Sequence, residues 1–307
     1  MSSSGPEPAE SIRQRLRNRL RERGEDVQFG LQRYAVERFL FRLGESKHRD
    51  RFVLKGAALF ALWGGAAYRA TRDVDFTGYG ISDEADVLAA MRDICELPCP
   101  GEEIVFEART LAAEQIRDDS EYHGLRIRLE ARLGSSRIPV QIDIGFGNAI
   151  HPAPQITDYP TLLDDPVPRI KTYPLDAVVA EKFHAMVVLG EQNSRLKDFY
   201  DVYVLTQQFS FDGAQLAGAV AATFERRRTA ITTVQSAALS AGFFSNDARA
   251  TQWRTYLDRN ALPGAPADFT AVGAVVADFL GPVWNALGAG QDFGTTWEAG
   301  GPWRVRS

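Results

Sequence analysis

Asp73 and Asp75 stand one residue apart in the run Arg69-Ala70-Thr71-Arg72-Asp73-Val74-Asp75-Phe76. Acidic and apolar residues alternate there with the two-residue period of a β-strand. Both carboxylates therefore share one face, and Val74 and Phe76 bury the other. Like charges held side by side repel unless a cation lies between them, so the pair points to a divalent metal. Gly64-Gly65 closes a short helical stretch just upstream and leaves room for a nucleoside triphosphate to enter. Metal beside glycines points to phosphoryl chemistry.

The elements that must position this pair can be read from the same pattern. Residues 1–10 are rich in Ser, Pro and Glu and are expected to be disordered. Helical periodicity runs from about Ser11, breaks near Gly24 and resumes over 29–43. A short apolar run, Phe52-Val53-Leu54, leads into Lys55-Gly56, and 57–63 reads as a helix stopped by the two glycines. Ser82 is the expected N-cap of a helix reaching about Glu96, with Glu84 and Asp86 in its first turn.

Three strands follow. The first covers 104–108. The second, 125–133, alternates strictly between apolar and charged residues, as a strand with one wet face does. Gly134-Ser135-Ser136 supplies a turn, and 138–146 returns as the hairpin partner. On that strand Gln141 and Asp143 face away from Val140, Ile142 and Ile144. Asp143 thus becomes a third carboxylate on the polar face of the same sheet.

After Pro152 the chain becomes Pro-rich and irregular, and 153–173 is expected to link two domains. Beyond it the pattern is helical over 175–189, 195–208, 214–227, 247–257 and about 267–287, and 300–307 reads as a loosely held tail. The expected organisation is an α/β domain over 11–152 with N-terminal helices, then a helical domain over 174–299.

Composition bounds the function. A chain of 307 residues with 45% hydrophobic and 24% charged residues builds a globular core. No run of about 18 apolar residues is seen and the N-terminus lacks an apolar leader, so a cytoplasmic protein without membrane contact is expected. Cys95 and Cys99 read as idle thiols in a reducing compartment rather than as a zinc site. The net charge of −5 argues against non-specific coating of nucleic acid. Arginines nevertheless gather at 13, 15, 17, 19, 21 and 23 and again at 226–228. Either run alone is a solvated helix face; together, beside a metal site, they favour a polyanionic substrate.

Two later stretches add charge. Lys182, in Ala180-Glu181-Lys182-Phe183-His184-Ala185, could meet a triphosphate as a point charge, or pair on the surface with a nearby acid. His184 beside it reads as an ordinary histidine. Asp198 and Asp201, in Arg195-Leu196-Lys197-Asp198-Phe199-Tyr200-Asp201, share a helix face, and the ordinary reading is a salt-bridged helix start capped by Asn193 or Ser194.

Four blocks in order resemble the AbiEii/AbiGii family of nucleotidyltransferase toxins, the toxin half of type IV abortive-infection toxin–antitoxin systems, which includes mycobacterial toxins that modify tRNA. The blocks are Phe52-Val53-Leu54-Lys55-Gly56-Ala57-Ala58-Leu59, the Arg69–Phe76 run, Leu175-Asp176-Ala177-Val178-Val179-Ala180-Glu181-Lys182-Phe183-His184-Ala185, and Arg195-Leu196-Lys197-Asp198-Phe199-Tyr200-Asp201-Val202-Tyr203. The resemblance covers about residues 35–210. It implies an α+β fold, a polymerase-β-type nucleotidyltransferase mixed sheet followed by a C-terminal helical domain. It also implies metal at Asp73 and Asp75, nucleotide phosphates at Lys182, and a site completed by Asp198, with Asp143 matching a third carboxylate of the wider superfamily. One departure stands in the first block, where the family usually has Gly-Gly after the lysine and this chain has Lys55-Gly56-Ala57.

The expected activity is transfer of an NMP from an NTP to an RNA acceptor, tRNA first, with Mg²⁺ or Mn²⁺. Asp73, Asp75, Lys182 and Asp198 form the expected catalytic set; Lys55, Gly56, Arg69, Thr71 and Lys182 are expected to hold the nucleotide; Asp73, Asp75 and Asp143 are expected to hold metal, with Asp143 a candidate to activate the acceptor hydroxyl. A cognate antitoxin encoded nearby and a monomeric toxin complete the expectation. The rivals are a kinase-like phosphotransferase on a protein and a non-catalytic RNA- or antitoxin-binding protein.

Overall fold

In a computed structural model of the chain, the residues described are 8–63, 73–80, 83–116, 124–147, 150–234, 236–260, 262 and 264–305. The expectations for Gly64-Gly65, Arg69, Thr71 and Ser82 lie outside them. The described chain divides into two units, one of residues 1–147 and 155–172, the other of 148–154 and 173–307.

The first unit opens on α1 (Ala9–Arg23), which begins inside the segment expected to be disordered, and α2 (Val27–Glu45). Ile12, Leu16 and Leu20 recur every four residues and are buried, so α1 lays one apolar stripe down and turns Arg15, Arg19, Arg21 and Arg23 outward. Asp26 caps α2 by accepting the Phe29 N–H.

The strands β1 (Phe52–Lys55), β2 (Asp73–Gly78), β3 (Ile104–Phe106), β4 (Ala112–Ile116), β5 (Gly124–Leu133), β6 (Ser136–Phe146), β7 (Gln155–Asp158) and β8 (Arg169–Thr172) form one sheet. Its order is β3-β5-β6-β2-β1-β8-β7, with β4 also beside β5. β2 runs parallel to β6 and β1 parallel to β8, the other neighbours being antiparallel, so the sheet is mixed. Between β1 and β2 lies a short 3-10 helix, Gly56–Ala61. α3 (Glu84–Cys95) is capped by Asp83, one residue after the expected Ser82.

The apolar face of the sheet carries Val74, Phe76, Ile127, Leu129, Ile142 and Ile144, each at most 4% exposed. The unit's core also takes Phe39, Leu40 and Leu43 of α2 and Val87, Met91 and Ile94 of α3. Each such side chain contributes about 1.5–3 kcal/mol.

Residues 155–172 of the segment expected to be a linker belong to this unit. β7 and β8 pair with each other, and β8 joins β1 at Leu54 opposite Thr172. The loop between them is anchored too: the Tyr159 hydroxyl donates to the Ala58 carbonyl at 3.1 Å and the Leu162 N–H donates to Glu37 at 2.8 Å.

The second unit is mainly helical: α4 (Leu175–Leu189), α5 (Leu196–Gln208), α6 (Gly213–Arg226), α7 (Ala241–Phe244), α8 (Asp247–Asn260) and α9 (Phe269–Gly288). Its interior is aromatic, with Phe183, Phe224 and Trp284 in mutual contact and Phe199 against Phe243, Phe244 and Phe269. Contrary to the expectation that no such segment exists, α9 is long and apolar enough to cross a membrane by length and composition. Its Val272, Val276, Phe279, Leu280 and Val283 are wholly buried, which is how a core helix of this unit is built. β9 (Phe211–Asp212), β10 (Thr295–Trp297) and β11 (Trp303–Val305) form a small sheet. Residues 303–305, expected in a loose tail, are strand, and Trp303 stacks on Phe279 and donates to its carbonyl at 2.9 Å.

Candidate active site

The paired acids take the geometry their alternation implies. Asp73 and Asp75 are half-buried while Val74 and Phe76 are buried. Their Cα atoms are two strand rises apart, about 6.6 Å.

Register decides what lies beside them. Asp75 is opposite Lys55 on β1 and opposite Asp143 on β6, and Asp143 is opposite Arg126 on β5. Four neighbouring strands thus carry one row, Lys55–Asp75–Asp143–Arg126, cations outside and acids inside. The next row sets Asp73 beside Gln141 and Arg128. Neighbouring strands are about 4.8 Å apart, so each row is within side-chain reach.

Gly56 lies directly against the Asp75 side chain. Its φ is +71°, and a Cβ there would lie 2.8 Å from Asp75 Cγ and closer still to the carboxylate oxygen. The position needs glycine for its backbone angle and for its bareness. Ala57, where the family usually has a second glycine, is buried and helical.

Asp143, expected as a third metal ligand, pairs with Arg126. Arg126 Nε donates to its Oδ1 at 2.8 Å and Nη2 to its Oδ2 at 2.7 Å. The Asp143 bonds hold the guanidinium proton affinity above its ordinary value; the charges of Asp73 and Glu114 act in the same direction. Arg126 was missed in the sequence, where it was one charged residue of an alternating strand. Among the described residues no three acidic, histidine or cysteine side chains converge as a metal-binding group. The pair Asp73/Asp75 alone fits the protein share of a magnesium site, which usually takes one or two carboxylates and leaves the remainder to phosphate and water.

Lys182, Asp198 and Asp201 come together in the second unit. Lys182 Nζ donates to Asp198 Oδ1 at 3.0 Å and to Asp201 Oδ2 at 2.6 Å. Their side chains are 11%, 9% and 1% exposed, so this is a buried triad and not a surface pair. The shared face of Asp198 and Asp201 thus serves Lys182. His184 is a core residue: burial, and then the charge of Arg227, push it down to about 4, and its Nε2 lies 2.8 Å from the Thr229 hydroxyl. Cys95 and Cys99 are free thiols, and burial raises both, Cys95 to about 12, which disfavours the nucleophilic thiolate.

A mixed sheet presenting paired aspartates beside a lysine, followed by a helical unit, is the architecture of a nucleotidyltransferase. The model of the family "Nucleotidyl transferase AbiEii toxin, Type IV TA system" matches residues 38–275. The chain belongs to this family of nucleotidyltransferase toxins. Among solved structures it is similar to JHP933 from Helicobacter pylori, with a TM-score of 0.49 and 12% identity over 86% of this chain and 94% of that one. A candidate nucleotidyltransferase from H. pylori matches with a TM-score of 0.48 and 12% identity over 84% of this chain and 95% of that one. No curated protein matches.

Proposed function

We propose that this toxin transfers a nucleoside monophosphate from an NTP to an RNA acceptor, tRNA first among them, in the cytoplasm and as a monomer. The observation that carries the reading is the placement of Asp73 and Asp75 on one sheet face, inside the chain's match to the nucleotidyltransferase family. An RNA hydroxyl gives up its proton to water, its oxygen bonds to the α-phosphorus, the bond from that phosphorus to the β-phosphate bridge breaks, and pyrophosphate leaves.

Asp73 and Asp75 are the residues that would hold Mg²⁺ or Mn²⁺. Such an ion, when bound, supplies Lewis-acid polarisation of phosphate oxygens and offsets developing charge. Lys55, beside Asp75 in register, is assigned to the triphosphate. Lys182 is assigned to the nucleotide phosphates on the family pattern, with Asp198 and Asp201 fixing its ammonium. Gly56 lets bare backbone lie against the Asp75 carboxylate without displacing it. Arg69 and Thr71 remain assigned to the nucleotide by the family pattern. A cognate antitoxin follows from the family's type IV system.

The test is incubation of the purified protein with total RNA, Mg²⁺ and each α-labelled NTP in turn. One NTP is expected to label RNA of tRNA size. Asp73→Ala, folded by circular dichroism, is expected to lose at least 100-fold of that labelling. Label arriving from the γ-phosphate, or undiminished labelling by the variant, would overturn the reading.

A further inference from the structure

The hairpin that presents Asp143 presents its partner as well. β5 and β6 are joined through Gly134 and Ser135, and the pairing counted back from that turn sets Arg126 directly across from Asp143. The two bonds, 2.8 and 2.7 Å, are the parallel fork in which guanidinium and carboxylate match best. Exposure of the side chains, 32% for Arg126 and 17% for Asp143, leaves the pair partly shielded from water.

This fork occupies one oxygen lone pair on each side of the carboxylate and places a full positive charge against it. A divalent ion taken onto the same carboxylate would stand next to that charge, and like charges at such range repel strongly. Asp73 and Asp75 are on the other side of Asp143 from Arg126, one on the same row and one on the next. Each inner acid of the row has a cation on its outer flank, Lys55 for Asp75 and Arg126 for Asp143.

We infer that Arg126 is the resident cation of Asp143: it stands in for a second divalent ion, and metal binds at Asp73 and Asp75 without Asp143. Asp143 is then a positioning residue for Arg126 and not a ligand. Two of the five guanidinium N–H groups are used on Asp143. The inference rests on the metal-dependent reading of Asp73 and Asp75 given above.

Titration of the full chain with Mn²⁺ alone, followed by electron paramagnetic resonance of the free ion, tests it. The wild type is expected to bind one Mn²⁺. Asp143→Asn should change the affinity by less than threefold, while Asp73→Asn and Asp75→Asn should each weaken it at least tenfold. Arg126→Met should tighten binding at least threefold or add a second ion, because it leaves Asp143 without its cation. If that variant unfolds, Arg126→Lys keeps the charge without the fork and should retain the single-ion stoichiometry. Loss of affinity in Asp143→Asn equal to that in Asp75→Asn would overturn the inference and leave the metal reading intact. So would Arg126→Met binding as wild type, or Arg126→Lys binding two ions. Failure of the wild type to bind Mn²⁺, or indifference to Asp73→Asn and Asp75→Asn, would overturn both.

Discussion

Gly56 governs how near the backbone comes to Asp75. With φ at +71°, any other residue there is strained by about 1–2 kcal/mol, and its Cβ must push the Asp75 carboxylate aside. Gly56→Ala is therefore expected to lower the melting temperature by a few degrees in calorimetry. It should cut RNA labelling at least tenfold in protein that is still folded, because the displaced group is one of the two proposed ligands. Of these residues the sequence shows the common face of Asp73 and Asp75 and the presence of Asp143 on a nearby strand, since alternation reports faces directly. Arg126 was within reach as well: the turn at Gly134-Ser135 sets the register, and counting from it ends on Asp143. The nearness of Gly56 to Asp75 was not, because it depends on a backbone angle and on pairing between strands some 20 residues apart in the chain.

At the scale of elements, α2 carries more charge inward than its pattern reveals. Glu37 and Arg38 are completely buried. Arg42 donates to Glu102 at 3.0 Å, to the Cys95 carbonyl at 2.6 Å and to the Ile104 carbonyl at 3.1 Å, so one side chain joins α2 to the end of α3 and the start of β3. Arg38 joins Glu102 and reaches the Pro166 carbonyl at 2.6 Å. Glu37 accepts from Leu162 and from Arg33, and burial nevertheless raises it from 4.5 to about 7. The folded protein then binds a proton more readily than the unfolded chain between those values. The stability Glu37 contributes is full below pH 4.5 and lost as pH rises through about 7, a change of roughly 3 kcal/mol. Glu37→Gln, with the shape of the protonated form, should flatten this dependence in denaturant unfolding measured from pH 4.5 to 8. The strands at 155–158 and 169–172 escaped the sequence reading for a related reason. Prolines flank both, each is four residues long, and what makes them strands is a partner already in place.

For the whole molecule, the net charge of −5 conceals a division of sign. α1 holds six arginines and two glutamates, and its buried stripe turns Arg15, Arg19 and Arg23 outward on consecutive turns. The ion pairs of Arg15 with Asp164 and of Arg23 with Glu25 are long, 3.8 and 3.9 Å, and carry little energy. If α1 grips the acceptor backbone, Arg15→Glu, Arg19→Glu and Arg23→Glu combined should weaken RNA binding. The slope of log K against log[salt] should also fall by about 2–3. Fluorescence anisotropy between 50 and 300 mM KCl measures both, and an unchanged slope would remove α1 from the interface.

The chain passes between its two units at 147–148, 154–155 and 172–173. During synthesis, β1 therefore waits for its parallel neighbour until about 120 further residues have been made, a pairing of high sequence separation and slow closure. Until residue 172 is available, one edge of β1 lacks β8, and a strand edge left open in that way invites pairing with other chains. Nor can a single cut divide the molecule into its two units. A cut at 148–154 leaves β7 and β8 on the fragment with the helices, and a cut at 172–173 leaves 148–154 with the sheet. The backbone thus leaves the first unit, returns to it for β7 and β8, and leaves it again.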